Sequence, residues 1–192
     1  MSTTTFRIDE LESQFTANTF TQFDALTPDV IGLSGGGYVL VYGFDNTTEA
    51  DNDFPVLEFY DAELNLVSGS VQPAIGADIF LEFSPRITEL SNGNILAVWD
   101  EGASGNDDVI GRIYTAGGTP VGNTFSVSGF ANETFPDAAG LANGGFVIAT
   151  DNATDVFFQW YDAAAVFQGD FEILLSGINP VSYTHLTLPT KA

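Results

Sequence analysis

Hydrophobic and polar positions along this chain follow one order three times. A proline opens a short apolar segment ending in leucine, a polar glycine-containing step follows, and an unbroken apolar run comes next. The copies are Pro28 to Leu33, Ser34 to Gly37 and Tyr38 to Tyr42; Pro85 to Leu90, Ser91 to Asn94 and Ile95 to Trp99; and Pro136 to Leu141, Ala142 to Gly145 and Phe146 to Thr150. In each, Leu stands five residues after Pro and Gly stands eight after it. A second block recurs downstream as Phe59-Tyr60-Asp61-Ala62, Ile113-Tyr114-Thr115-Ala116 and Trp160-Tyr161-Asp162-Ala163, followed by Gly69, Gly122 and Gly169.

The pattern predicts four short strands per repeat. Proline suits the first residue of a strand, where its missing N–H harms no ladder bond. Asn92-Gly93 and Asn143-Gly144 read as hairpin turns, because both residue types accept positive φ. A run such as Ile95 to Trp99 is apolar without alternation, which implies a strand buried on both faces. A third strand is expected over Val56 to Tyr60, Val109 to Tyr114 and Val156 to Tyr161. A fourth is expected near Leu66 to Val71, Val121 to Val127 and Val166 to Ile173. Four antiparallel strands in about 40 to 50 residues mark a propeller blade. A β-sandwich also repeats hairpins, but the aligned Pro, Leu, Gly and Tyr anchors favour blades.

The expected fold is therefore all-β, a β-propeller fragment of about three four-stranded antiparallel blades, at residues 28-84, 85-135 and 136-180. Asn18-Thr19-Phe20 echoes Asn123-Thr124-Phe125, so residues 1-27 are expected to supply the outer strand of a preceding or closing blade. Val181 to Thr190 resembles the translation of a transposase adaptor used in sequencing libraries. Residues 181-192 are accordingly expected to lie outside the native fold, which would continue past Pro180 into further blades. Three blades alone leave an incomplete ring, which is expected to be marginally stable or to self-associate.

Composition sharpens the picture. Seventeen Phe and an aromatic fraction of 13% favour strands over helices. The 26 acidic residues against 4 basic ones give a net charge of −22, which argues against nucleic acid and anionic membranes as partners. No apolar run is long enough for a membrane span, so no membrane insertion is expected. There is no Cys, and the single His, His185, lies in the adaptor-like tail. Thiol chemistry, His-assisted nucleophiles and His- or Cys-ligated zinc are excluded from the remainder.

Carboxylates are what is left. Three oxygen-rich loops occupy the same place in successive repeats and suit a hard cation. Their candidate ligands are Asp45, Asp51 and Asp53; Asp107 and Asp108; and Asp151 and Asp155. A solvated acidic rim is the alternative reading of the same loops. Paired carboxylates also serve glycoside hydrolysis, though no pair stands out in the sequence. Trp99, Trp160, Tyr60, Tyr114 and Tyr161 repeat along the strands and are expected to pack between blades. Arg86 and Arg112 are expected to meet neighbouring acids.

The succession Pro-x-x-x-x-Leu-x-x-Gly-Gly-Phe-Val, an acidic loop and Tyr-Asp-Ala resembles the repeats of large bacterial surface and exported proteins, often found beside hemolysin-type (RTX) calcium-binding segments. The resemblance covers residues 28 to 180. It implies a propeller, export to the cell surface or beyond, and calcium as a stabilising ion, although the Gly-Gly-x-Gly-x-Asp nonapeptide is absent. The first functional expectation is a non-catalytic module for adhesion or presentation, binding carbohydrate or protein on a surface. The alternative is a carbohydrate-active propeller, lectin-like or hydrolytic, marked by carboxylates and aromatics converging at one mouth of the ring. Calcium ligation predicts that the melting temperature of residues 1 to 180 rises in a calcium titration and not in magnesium or sodium controls; an unchanged melt means a solvated rim.

Overall fold

A computed structural model describes residues 24–45, 54–71, 84–103, 106–127, 134–152, 155–169 and 172–176. Within them the chain forms twelve strands and no helix. The first sheet holds β1 (Asp24–Gly32), β2 (Tyr38–Asp45), β3 (Phe54–Tyr60) and β4 (Leu66–Val71). The second holds β5 (Arg86–Glu89), β6 (Ile95–Ala103), β7 (Asn106–Tyr114) and β8 (Pro120–Ser126). The third holds β9 (Thr134–Gly140), β10 (Phe146–Asp151), β11 (Asp155–Tyr161) and β12 (Glu172–Ser176). Each sheet runs in sequence order with antiparallel neighbours, so each is a four-stranded blade. The N-terminal echo at Asn18 to Phe20 and the adaptor-like tail lie outside the described residues.

The unbroken apolar runs are explained by packing on both faces of a sheet. Val39, Val41, Leu57 and Phe59 leave one face of blade 1 and meet Ile95, Ala97, Trp99 and Tyr114 of blade 2. The alternate residues of β6, Leu96 and Val98, point the other way and meet Phe146, Ile148 and Tyr161 of blade 3. Blade 2 is thus covered on both sides. The first strands approach one another, β1 against β5 and β5 against β9, so they form the inner edge around which the blades are arranged.

The tight turns repeat in detail. In each blade the Leu that closes the first strand accepts a bond from the Gly three residues on, at 2.9 Å for Leu33, 2.9 Å for Leu90 and 3.0 Å for Leu141. Gly36, Gly93 and Gly144 carry the positive φ. The sequence reading is corrected here: Asn92 and Asn143 do not share that conformation. They act as acceptors, taking the N–H of Asn94 at 3.0 Å and of Gly145 at 3.1 Å. The loop is longer than a two-residue turn, so in blades 2 and 3 only the glycine needs the left-handed region, whereas in blade 1 Gly37 (φ 87°) shares it.

Proline also sits differently from expectation. Pro28 and Pro136 lie inside β1 and β9, each where two residues oppose one partner and the ladder shifts register. Such a bulge lets the strand pass a residue with no N–H to donate. The residues just before them, Thr27 (φ 47°) and Phe135 (φ 49°), are forced into the left-handed region. The fourth strand of blade 3 starts later than expected. Phe167 makes one bridge to Tyr161, and Gln168 then donates to the Trp160 carbonyl at 2.8 Å and to the Asp162 carboxylate at 3.0 Å, ending the pairing before β12.

The Tyr-Asp-Ala block is a turn cap. Asp61 Oδ1 accepts the N–H groups of Glu63 and Asn65 at 3.0 and 2.8 Å, and Asp162 Oδ1 accepts those of Ala164 and Val166 at 2.9 and 3.0 Å. In blade 2 the Thr115 hydroxyl takes the N–H of Thr119 instead, at 3.1 Å. The bonds from Asn65 and Glu63 hold the Asp61 carboxyl below its ordinary value. The turn needs one left-handed residue, supplied by Leu64 (φ 65°), Gly118 (φ 79°) and Ala165 (φ 61°). A side chain there is strained by about 1 to 2 kcal/mol. Leu64→Gly and Ala165→Gly should therefore each raise stability by about 1 kcal/mol in denaturant melts. Gly118→Ala should lower it, because the added Cβ would lie 2.5 Å from Ser68 Oγ and 2.9 Å from the Phe59 ring.

Candidate functional site

The two ends of each blade differ. The β1–β2 and β3–β4 turns, with their counterparts in blades 2 and 3, close one end tightly. The second-to-third strand connections and the starts of the first strands lie at the other. Loops on a rigid sheet framework are the usual carriers of function, which directs attention to that second end.

The tight-turn end holds an open groove of about 300 Å³ between blades 1 and 2, lined by Leu33, Ser34, Tyr60, Val67 and Glu89 among others. Its carboxylate is engaged: Glu89 accepts the Ser34 N–H at 2.8 Å and hydroxyl at 2.7 Å. That contact ties blade 2 to blade 1. Asp29 does the same on the inner edge, accepting the Ile87 N–H at 3.0 Å while its other oxygen takes the N–H of Val30 at 2.9 Å. Both acids are clasps between blades.

The predicted cation ligands belong to the loop end. Asp51 and Asp53 lie outside the described residues. Asp45 ends β2, and Asp107 lies in β7 opposite Gly102. Asp108 is half-buried in β7 and pairs with Glu101. Asp151 is buried at the end of β10, and Asp155 opens β11 with its N–H donated to Asn152 Oδ1 at 2.9 Å. Among the described residues no group of three or more carboxylates gathers closely enough to hold a metal ion.

Beside Asp151, already a candidate cation ligand, the buried Asp100 and Asp137 were not among the predicted ligands. Asp100 and Asp151 hold the same place in β6 and β10, where blade 1 has Gly43, and both are buried. Asp100 reaches into blade 3 and accepts the Phe135 N–H at 3.4 Å. Asp137, buried on the innermost strand of blade 3, lies on the same face as Asp151 one strand away. The signal was available: each of these acids sits inside or at the end of an apolar strand, where a charge must earn its place by bonding.

Blade 1 carries its own buried acid on the face turned away from blade 2. Glu58 is fully buried, and the hydroxyls of Tyr42 and Tyr60 each donate to it at 2.9 Å. Tyr38 stacks on Tyr60 with centroids 4.6 Å apart. The same place, two residues before the repeated Tyr, holds Arg112 in blade 2 and Gln159 in blade 3. Gln159 accepts the Tyr161 hydroxyl. Arg112 lies over the Tyr114 ring, 5.8 Å from its centroid, and Arg86 donates to the Pro85 carbonyl at 2.9 Å, so these arginines serve rings and backbone. Trp99, Tyr114 and Tyr161 pack between blades as expected, whereas Tyr60 and Trp160 lie on the two outward faces.

No family model matches the chain, and no curated protein does. Among solved structures, the endo-arabinase of Bacteroides thetaiotaomicron VPI-5482 superimposes with a TM-score of 0.52 at 16% identity, over 84% of this chain. The fold is that of a β-propeller. The chain spans 66% of the length of that enzyme. This comparison corrects the first functional expectation, a non-catalytic adhesion or presentation module, since the structure that the chain resembles is that of an endo-arabinase.

Burial pushes the Tyr114 phenol up to about 12, against the pull of the Arg112 charge. Burial and the Glu58 carboxylate raise Tyr38 and Tyr60 as well. A phenol whose folded value exceeds its unfolded one stabilises the fold fully below pH 10, the ordinary tyrosine value, and progressively less above it. Melting temperature should hold steady up to pH 10 and fall as pH rises toward 12, and Tyr114→Phe should flatten that slope. Thermal melts across this range, with tyrosinate absorbance followed in parallel, check both.

Proposed function

We propose that this chain belongs to a carbohydrate-active propeller that cleaves glycosidic bonds in a neutral polysaccharide, with carboxylates of blades 2 and 3 as its chemical groups. The observation that carries the reading is that Asp100, Asp137 and Asp151 are each buried on the inner strands of blades 2 and 3, where acids are otherwise rare. The fold likeness to an endo-arabinase supports it. Glycoside hydrolysis needs two carboxyl groups, one to protonate the departing oxygen and one to activate water or attack the anomeric carbon. Asp100 and Asp151 are the pair we assign to those roles. Burial removes competing water, so their interaction with sugar hydroxyls is strengthened. A chain carrying a net charge of −22 repels uronate or sulfated glycans, which leaves neutral ones.

The test is release of reducing ends from soluble arabinan by the full chain, alongside retardation in arabinan-containing gels. Asp100→Asn and Asp151→Asn should each cut release by about a hundredfold or more, the usual cost of losing a general acid or base. Wild-type protein that neither binds nor cleaves arabinan, xylan or glucan overturns the proposal.

A further inference from the structure

Phe135 is the most unusual residue of the inner strands. Its side chain is 51% exposed. Its backbone has φ 49°, a region that bulky residues avoid, and it precedes Pro136, which restricts it further. It sits in the bulge of β9, directly after Thr134, which pairs with Asp151, and its N–H is held by Asp100 of the neighbouring blade. Bulges re-aim side chains next to active sites, and strain of this kind persists where the surroundings impose it for use.

The other blades serve as internal controls. Blade 1 has the same bulge and the same strain, but the residue there is Thr27. In blade 2 the residue before the repeated proline is Ser84, which is buried. The bulge therefore raises an aromatic ring in one blade of the three, the blade flanked by Asp100 and Asp151.

Resting on the carbohydrate reading, we propose that Phe135 is a stacking platform for a sugar ring of a neutral polysaccharide. The apolar C–H face of the sugar lies on the ring. The strained bulge holds the ring up to meet it, so the protein carries this strain for binding.

Affinity electrophoresis of the full chain in arabinan gels, with polygalacturonate as the charged control, tests the assignment. Phe135→Ala should weaken arabinan retardation by about tenfold or more, and Phe135→Trp should retain it. Phe135→Gly separates binding from structure: it relieves the positive-φ strain, so its melting temperature should equal or exceed that of wild type while retardation is lost. Wild-type retardation that survives in Phe135→Ala overturns the platform and leaves the carbohydrate reading intact. A Phe135→Gly melt below wild type assigns the ring to packing and also overturns it. Wild-type protein that arabinan does not retard overturns both.

Discussion

Everything in this structure depends on sheets that are apolar on both faces. A strand such as β6 sends Ala97 and Trp99 to one side and Leu96 and Val98 to the other, and all four are buried. A sheet of that kind has no face to offer water, so it is stable only between neighbours. Blade-on-blade packing supplies those neighbours. In blades 1 and 3 the second strand begins with an aromatic residue stacked on the Tyr that ends the third, and in blade 2 Ile95 takes that place opposite Tyr114. Phe146 and Tyr161 show the pairing at 5.1 Å, and Tyr38 and Tyr60 at 4.6 Å.

Polar groups inside such a stack are tolerated where they join blades or close turns. Asp29 and Glu89 hand their oxygens to the backbone or hydroxyl of the neighbouring blade, and Glu58 is satisfied by two phenols. The bonds of Asp29 and Glu89 fix the relative positions of blades 1 and 2, which featureless apolar surfaces would leave free to slide. The buried Glu58 needs both its phenols, because a half-satisfied carboxylate in such a place would cost several kcal/mol.

The chemistry we propose then has one place to reside. The tight turns consume their own polar groups in closing hairpins, whereas at the opposite end Asp100 and Asp151 occupy a strand position that blade 1 fills with Gly43. The strained bulge before Pro136 rises between them. Departures from the repeat, more than the repeat itself, mark the site.

The sequence alone determined the number of repeats, the four strands in each, and the burial of the second strand on both faces, because these follow from local periodicity and from residues that punctuate turns. It also located the acidic loops. It misjudged the prolines and the turn asparagines, since a bulge or a hydrogen-bonded turn depends on the partner strand as much as on the residue. Only the tertiary structure decided which acids matter. Asp29 and Asp137 look alike in the repeat, as do Asp100 and Asp151, yet Asp29 and Asp100 each meet a backbone group that the neighbouring blade places against them, the N–H of Ile87 and of Phe135. Those contacts join residues 35 to 58 positions apart, and no local pattern in the chain encodes them.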